Sequence, residues 1–290
     1  MKKTSYMYII FAGLLWGTSG IFVNLLVTYG FTPLQLTFFR AAVSFISLSV
    51  YALCSDKSLF KINRKELLLF VCSGIAFFAT AGCYYCSMQM TSISTSVMLM
   101  YTSPIFVMIY SVSFLGEKFT KQKAISAGGM IIGCGLVSGV IGGVKFEVAG
   151  VLLGLLAGIS YSVYSILAKI NMNNKSNPLA ATLYGFLFAA LIGIFVCEIP
   201  LTIPCIVSNP GITLLLIIGM GLCTCTVPFF LYTLALRKIP AGTASVLSII
   251  EPMAATVYGV LFFDEPLTVS LCGGAALILF SVFLLNKNDL

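Results

Sequence analysis

The chain reads as an all-α polytopic membrane protein, ten transmembrane helices arranged as two inverted five-helix repeats. Three observations predict this. Its 290 residues are 59% hydrophobic and 9% charged, with a mean hydropathy of +1.07, far outside the range of soluble domains. Apolar segments of the length a bilayer requires recur along the whole chain. Two of them, in corresponding positions of the two halves, carry a proline after a polar residue: Ser103-Pro104 and Glu251-Pro252.

In order, the spans are read at 6–28, 34–54, 67–89, 93–115, 124–142, 148–169, 178–198, 212–234, 242–263 and 268–285. The first is longer than a signal-peptide core and no cleavage site follows it, so it is expected to remain as a helix. Basic residues set the orientation. With a cytoplasmic N-terminus, Lys2, Lys3, Lys57, Lys61, Arg64, Lys65, Lys118, Lys121, Lys123, Lys169, Lys175, Arg237, Lys238 and Lys287 all fall inside, Lys145 falls outside, and Arg40 lies within the second helix. Both termini are therefore expected in the cytoplasm. The net charge of +7 is a topology signal in short loops and not a nucleic-acid-binding surface.

An offset of 148 residues pairs Thr95 with Thr243, Leu99 with Leu247, Tyr110 with Tyr258, Glu117 with Glu265 and Thr120 with Thr268. Gly13-Leu-Leu-Trp16-Gly17 matches Gly154-Leu-Leu-Ala157-Gly158, and Pro33-Leu34 matches Pro178-Leu179. The repeats are drawn at 1–145 and 146–290. Five helices per repeat make the second enter the membrane from the opposite side, the arrangement of many secondary transporters with a site near the midplane.

Glu251 is the acid at the centre of the ninth span, and an acid there is costly unless it is used. Pro252 has no N–H, which leaves the Ser248 carbonyl without its helical donor and favours a bend. Ala244, Ser248, Ala255 and Tyr258 share a helix face with Glu251. Glu251 could bind a solute amino group, alternate between protonated and ionised forms, or fasten the bent helix to a neighbour. Arg40, about 10 Å from the outer end of its helix at 1.5 Å per residue, could meet a solute carboxylate or pair with an acid, or its long side chain could reach helix-end carbonyls or snorkel to the interface. Trp16, Tyr84, Tyr101 and Tyr161 form the candidate aromatic wall for a solute, with Ser103 beside them; Tyr85, Tyr164, Phe229 and Tyr232 are further aromatic candidates. Asn24 and Gln89 are additional polar groups. Pro104, Pro252, Glu251 and Arg40 are the candidates for gating and coupling.

The ten cysteines are scattered through apolar segments and are expected to be free thiols. With no histidine and no clustered carboxylates, no metal or other cofactor is expected. The glycines at 128, 129, 133, 273 and 274 allow close helix contact and are the one weak signal for a homodimer.

Leu15-Trp16-Gly17-Thr18-Ser19, Phe39-Arg40, the run Leu234-Ala235-Leu236-Arg237-Lys238-Ile239-Pro240, Glu251-Pro252 and Glu265, with Ser103-Pro104 and Leu115-Gly116-Glu117 in the first half, resemble the EamA-type branch of the drug/metabolite transporter superfamily. The resemblance covers essentially the whole chain. It implies a carrier of small metabolites in the cytoplasmic membrane, often an exporter of amino acids or related compounds. Its cavity would be lined by the first, third, fourth, sixth, eighth and ninth helices, with the second peripheral. The expected partners are a small-molecule solute and the lipid bilayer. A multidrug or organic-cation exporter of the same fold is the alternative. An intramembrane enzyme would need a nucleophile with a base, or paired acids, and a channel would need a filter or a ring of charge; the sequence supplies neither.

Overall fold

The computed structural model describes residues 2–55, 57–60, 62–114, 120–137, 147–174, 177–236, 247–248 and 250–286, and all their regular structure is helical. Helices α1 (Lys2–Gly17) and α2 (Ser19–Thr28) form one span interrupted at Thr18. There the Thr18 and Ser19 hydroxyls donate back to the Leu15 and Trp16 carbonyls at 2.6 and 2.7 Å, bonds that compete with the helical ladder. Next come α3 (Pro33–Ser55), α4 (Arg64–Met90), α5 (Ile93–Met100), α6 (Ser103–Phe114) and α7 (Lys121–Val137). The second half holds α8 (Val148–Asn173), α9 (Pro178–Val196), α10 (Ile203–Ser208), α11 (Pro210–Gly221), a π-helical turn at Leu222–Thr226, α12 (Val227–Leu236), α13 (Ile250–Phe263) and α14 (Val269–Asn286).

Among the described residues, seven helical units are long and apolar enough to cross a membrane: Thr4–Thr28, Pro33–Ser55, Glu66–Met90, Ile93–Tyr110, Val148–Ala168, Pro178–Val196 and Pro210–Ala235. The other three expected spans correspond to α7, α13 and α14, which have 17, 14 and 18 residues. Lys118, Glu117, Lys145, Arg237, Lys238, Ala244, Lys287 and the repeat boundary lie outside the described residues. Large apolar side chains such as Leu68, Phe195 and Val269, 67%, 87% and 91% exposed, cover the outer faces, as lipid contact requires.

Prolines break the expected continuous fourth and eighth spans. Pro104 cannot donate to the Met100 carbonyl, and the span divides at Tyr101–Thr102 into α5 and α6. Pro228 cannot donate to the Thr224 carbonyl, and the chain upstream widens into the π-helical turn. A short 3-10 turn at Ile199–Thr202 and α10 fill a stretch read from the sequence as loop.

Neighbouring helices pair in a pattern that survives exchange of the halves. The third span, α4, lies on the sixth, α8, just as the eighth, α12, lies on the first, α1. Helices α5 and α6 pack on α8 as α13 packs on α1, while α3 with α9 and α7 with α14 each join corresponding spans. Small residues permit these approaches. A Cβ at Gly17 would meet Ala254 Cβ at 2.8 Å and the Ala255 nitrogen at 3.0 Å. At Gly133 it would meet the Gly274 carbonyl oxygen at 2.8 Å, so Gly129, Gly133 and Gly274 are used inside the chain, between α7 and α14. Gly133→Val is therefore expected to force α7 from α14 and cost about 1–3 kcal/mol. A lowered melting temperature in detergent would show it, with Gly128→Ala, whose Cβ meets open space, as the neutral control.

Candidate functional site

The interior of the bundle holds a cleft with about 570 Å³ of empty space, part of it open to the surroundings. Its walls come from α1 (Trp16), α2 (Ser19), α3 (Arg40), α4 (Phe77, Thr80, Ala81, Tyr84), α5 (Met100), α8 (Tyr161, Tyr164), α12 (Phe229) and α13 (Glu251). These are the helices expected to line it, with one addition. The second span, expected to be peripheral, contributes Arg40.

Arg40 is held from three directions. Its Nε donates to Cys225 Sγ at 2.9 Å, Nη1 to Tyr85 Oη at 2.9 Å and Nη2 to the Thr224 carbonyl at 2.8 Å. The last acceptor is the carbonyl that Pro228 leaves without a helical donor, so the proline and the arginine complete each other. Phe77 and Tyr85 place their rings 5.4 and 5.7 Å from the guanidinium carbon, close enough for a cation–π attraction. No carboxylate lies within ion-pair distance of this buried cation among the described residues. Three of its five N–H groups are occupied, and the remaining two have no described acceptor. Both roles weighed for Arg40 are thus compatible: it tethers the π-helical turn and also faces the cleft.

Glu251 is the acid of the cleft wall. Tyr101 Oη lies 3.1 Å from Glu251 Oε2 and 2.8 Å from the Ser248 carbonyl. This is the carbonyl whose helical donor Pro252 removes, and a residue of the other half fills it.

Aromatic rings form much of the rest of the cleft wall. Trp16 sits 5.3 Å from Phe229, edge-on, and 5.6 Å from Tyr232. Tyr161 and Tyr164 stack at 6.4 Å, and Tyr84 packs on Tyr85 at 5.6 Å. Of the residues put forward from the sequence, Trp16, Tyr84, Tyr161, Tyr164, Phe229, Arg40 and Glu251 come together at the cleft, while Tyr85 and Tyr232 stand behind its lining. Tyr101 stands behind Glu251 and commits its hydroxyl there. Ser103, which is buried, and Pro104 are not among the lining residues. Asn24 and Gln89 also stand away from the lining, bonded to one another at 2.7 Å. The sequence reading missed Ser19, Phe77, Thr80, Ala81 and Met100. Phe77, Thr80, Ala81 and Tyr84 share one face of α4 at helical spacing, so the candidate Tyr84 marks the face on which the other three stand.

A second carboxylate acts at a helix end. Glu265 accepts from the Ile93 N–H, from the Ser94 N–H at 3.1 Å and from the Ser94 hydroxyl, while the Ser92 hydroxyl accepts from the Thr95 N–H at 3.0 Å. Together they satisfy the first turn of α5. Asp264, in the left-handed region at φ 51°, turns the chain so that Glu265 points back. Gly259 leaves the space, since a Cβ there would come within 2.5 Å of Glu265 Oε2. Glu265→Ala is expected to cost about 2 kcal/mol through these charge-assisted bonds, and Gly259→Leu to act similarly by displacing the carboxylate. Thermal melting of the purified variants checks both.

A helical membrane protein with a central cleft walled by a buried cation that has no carboxylate partner among the described residues, an acid and aromatic rings has the architecture of a solute transporter. The chain matches the EamA-like transporter family over residues 3–139 and 148–287, and it belongs to that family. It is 27% identical over 278 residues to an uncharacterized transporter of Archaeoglobus fulgidus, covering 95% of this chain and 94% of the relative. It is likewise 27% identical over 288 residues to the uncharacterized transporter YwfM of Bacillus subtilis, covering 99% and 95%. A protein crystal structure superimposes with a TM-score of 0.64 at 15% identity, covering 100% of this chain and 98% of the other, a likeness of fold.

Proposed function

We propose that the protein is a secondary transporter that moves small zwitterionic metabolites, amino acids or close relatives, out of the cell across the cytoplasmic membrane by alternating access. The observation that carries the reading is the placement of Arg40 and Glu251 on one cleft wall system without an ion pair between them. A buried cation with two N–H groups that meet no acceptor among the described residues suits a carboxylate, because an unpaired charge in a low-dielectric interior is costly. An acid across an aromatic wall suits an ammonium group. A solute carrying both charges and a modest apolar body would satisfy both poles.

The two-repeat organisation, with halves at 1–145 and 146–290 inserted in opposite senses and both termini cytoplasmic, supports alternating access. The exchange-symmetric helix contacts and the lysine and arginine distribution support that organisation. Bends at Pro104 and Pro252 would then serve as hinges for the fourth and ninth spans. Glu251, protonated on one side and ionised on the other, would couple the cycle to protons; the solute and proton gradients set the net direction.

The test is reconstitution of the purified protein with a panel of amino acids, their decarboxylated amines and other organic cations. Thermal stabilisation comes first, followed by counterflow of each hit. Saturable exchange of zwitterions, with the matching amines binding far more weakly, is the expected result. Competition by cations with indifference to amino acids would replace the reading by an organic-cation exporter.

A further inference from the structure

We propose that Tyr101 transmits the protonation state of Glu251 to the backbone turn that leads into α13 by moving its one hydroxyl proton between two acceptors. The proposal rests on the reading of Glu251 as the proton-binding residue. Tyr101 closes α5, and its oxygen lies 2.8 Å from the Ser248 carbonyl and 3.1 Å from Glu251 Oε2. A phenol has one proton and two lone pairs, so it can donate to one of these oxygens and accept from the other but cannot donate fully to both. The Ser248 carbonyl is available because residue 252, four positions on, is a proline. Its other described partner is the Glu251 N–H at 2.9 Å, a tight i to i+3 bond.

When Glu251 is protonated, its O–H donates to Tyr101 and Tyr101 donates to the Ser248 carbonyl. Acid, phenol and carbonyl form one chain that pins the turn at the start of α13 to the end of α5. When the proton leaves Oε2 for the cleft, the carboxylate becomes the stronger acceptor. The phenol turns its proton to Oε2, and the Ser248 carbonyl retains the Glu251 N–H. The O–H bond of the acid is the one bond broken, and the proton is the one thing released. The link between the halves then runs to a rotatable side chain instead of the backbone, and the turn before α13 is freed to move.

The titratable groups around Glu251 are Tyr101 itself, Tyr84 of α4, Tyr161 of α8 and Arg40 of α3 across the cleft. Tyr232 of α12 bonds the Ser248 side chain, and α1 presents Trp16. Among these groups Glu251 is the carboxylic acid, so it is the strongest acid and the member that releases its proton first.

Infrared difference spectroscopy of the full-length protein in vesicles, stepped between acid and alkaline pH, needs no solute. In the wild type a protonated-carboxyl band that Glu251→Gln abolishes should disappear together with an amide I change. Tyr101→Phe removes the hydroxyl and should keep the carboxyl band but lose the amide I change. Pro252→Ala restores an N–H that fills the Ser248 carbonyl within the helix, so it should uncouple the two signals in the same way and keeps the test valid if the first variant does not fold. An undiminished amide I change in Tyr101→Phe and Pro252→Ala would overturn the relay while leaving Glu251 as a proton binder. A carboxyl band untouched by Glu251→Gln would overturn the reading of Glu251 itself.

Discussion

Replacing Arg40 by alanine is expected to weaken binding of any carboxylate-bearing solute by about 2–5 kcal/mol, the usual cost of truncating one member of a buried charge pair. That corresponds to at least about thirtyfold in affinity. The matching decarboxylated amine, which never used the guanidinium, should bind the variant nearly as well as the wild type, so the outcome is a change of preference and not a uniform loss. Stability should fall as well. The Thr224 carbonyl, held by Nη2 at 2.8 Å, loses the donor that replaces the missing N–H of Pro228, and the Tyr85 hydroxyl and Cys225 thiol lose theirs. Removing a buried cation offsets part of that loss. Arg40→Lys keeps the charge but not the planar fork that reaches three acceptors at once, so it should retain part of the solute affinity while lowering the melting temperature. Solute affinities equal in wild type and Arg40→Ala would confine Arg40 to holding the π-helical turn.

Glu251→Gln should give a transporter that folds, binds and exchanges solute but no longer responds to a proton gradient. The amide occupies the carboxyl site and can still donate to Tyr101, so it imitates the protonated acid. On the limb where one proton governs the cycle, wild-type transport should change about tenfold per pH unit, and the variant should be flat. Binding of the ammonium group should weaken at the same time, because a neutral amide replaces a carboxylate. Proton-driven flux that persists in Glu251→Gln would move the coupling to another residue.

Several features of the site are legible in the amino-acid chain alone. The acid in the ninth span, the proline after it and the freed Ser248 carbonyl follow from local chemistry, and in the folded protein Tyr101 fills that carbonyl. Arg40 is legible as a buried cation, yet its partners are not: Thr224, Cys225 and Tyr85 are distant in sequence and meet it through the π-helical turn. The spacing of Tyr101 groups it with the cleft aromatics, whereas its hydroxyl is directed to Glu251 and Ser248. The repeat pairing singles out Glu265 without revealing its task. The carboxylate reaches Ile93 and Ser94, more than 170 residues away, through a turn at Asp264 and a space left by Gly259.

The sequence by itself determined the class of the protein, most of the apolar helices long enough to cross a membrane and the place where Pro104 interrupts the fourth span. Each of these is a local property: hydropathy and charge set the cost of placing a residue in lipid, and a proline removes a particular hydrogen bond wherever it stands. Only the tertiary structure decided which faces of the helices turn inward. In a membrane the outside of a bundle is as apolar as its inside, so periodicity does not distinguish lipid-facing from cleft-facing positions. Close contacts at residues such as Gly17 and Gly133 set the neighbours and rotation of each helix, and they bring Arg40 and Glu251 to a common cleft while turning Ser103 away.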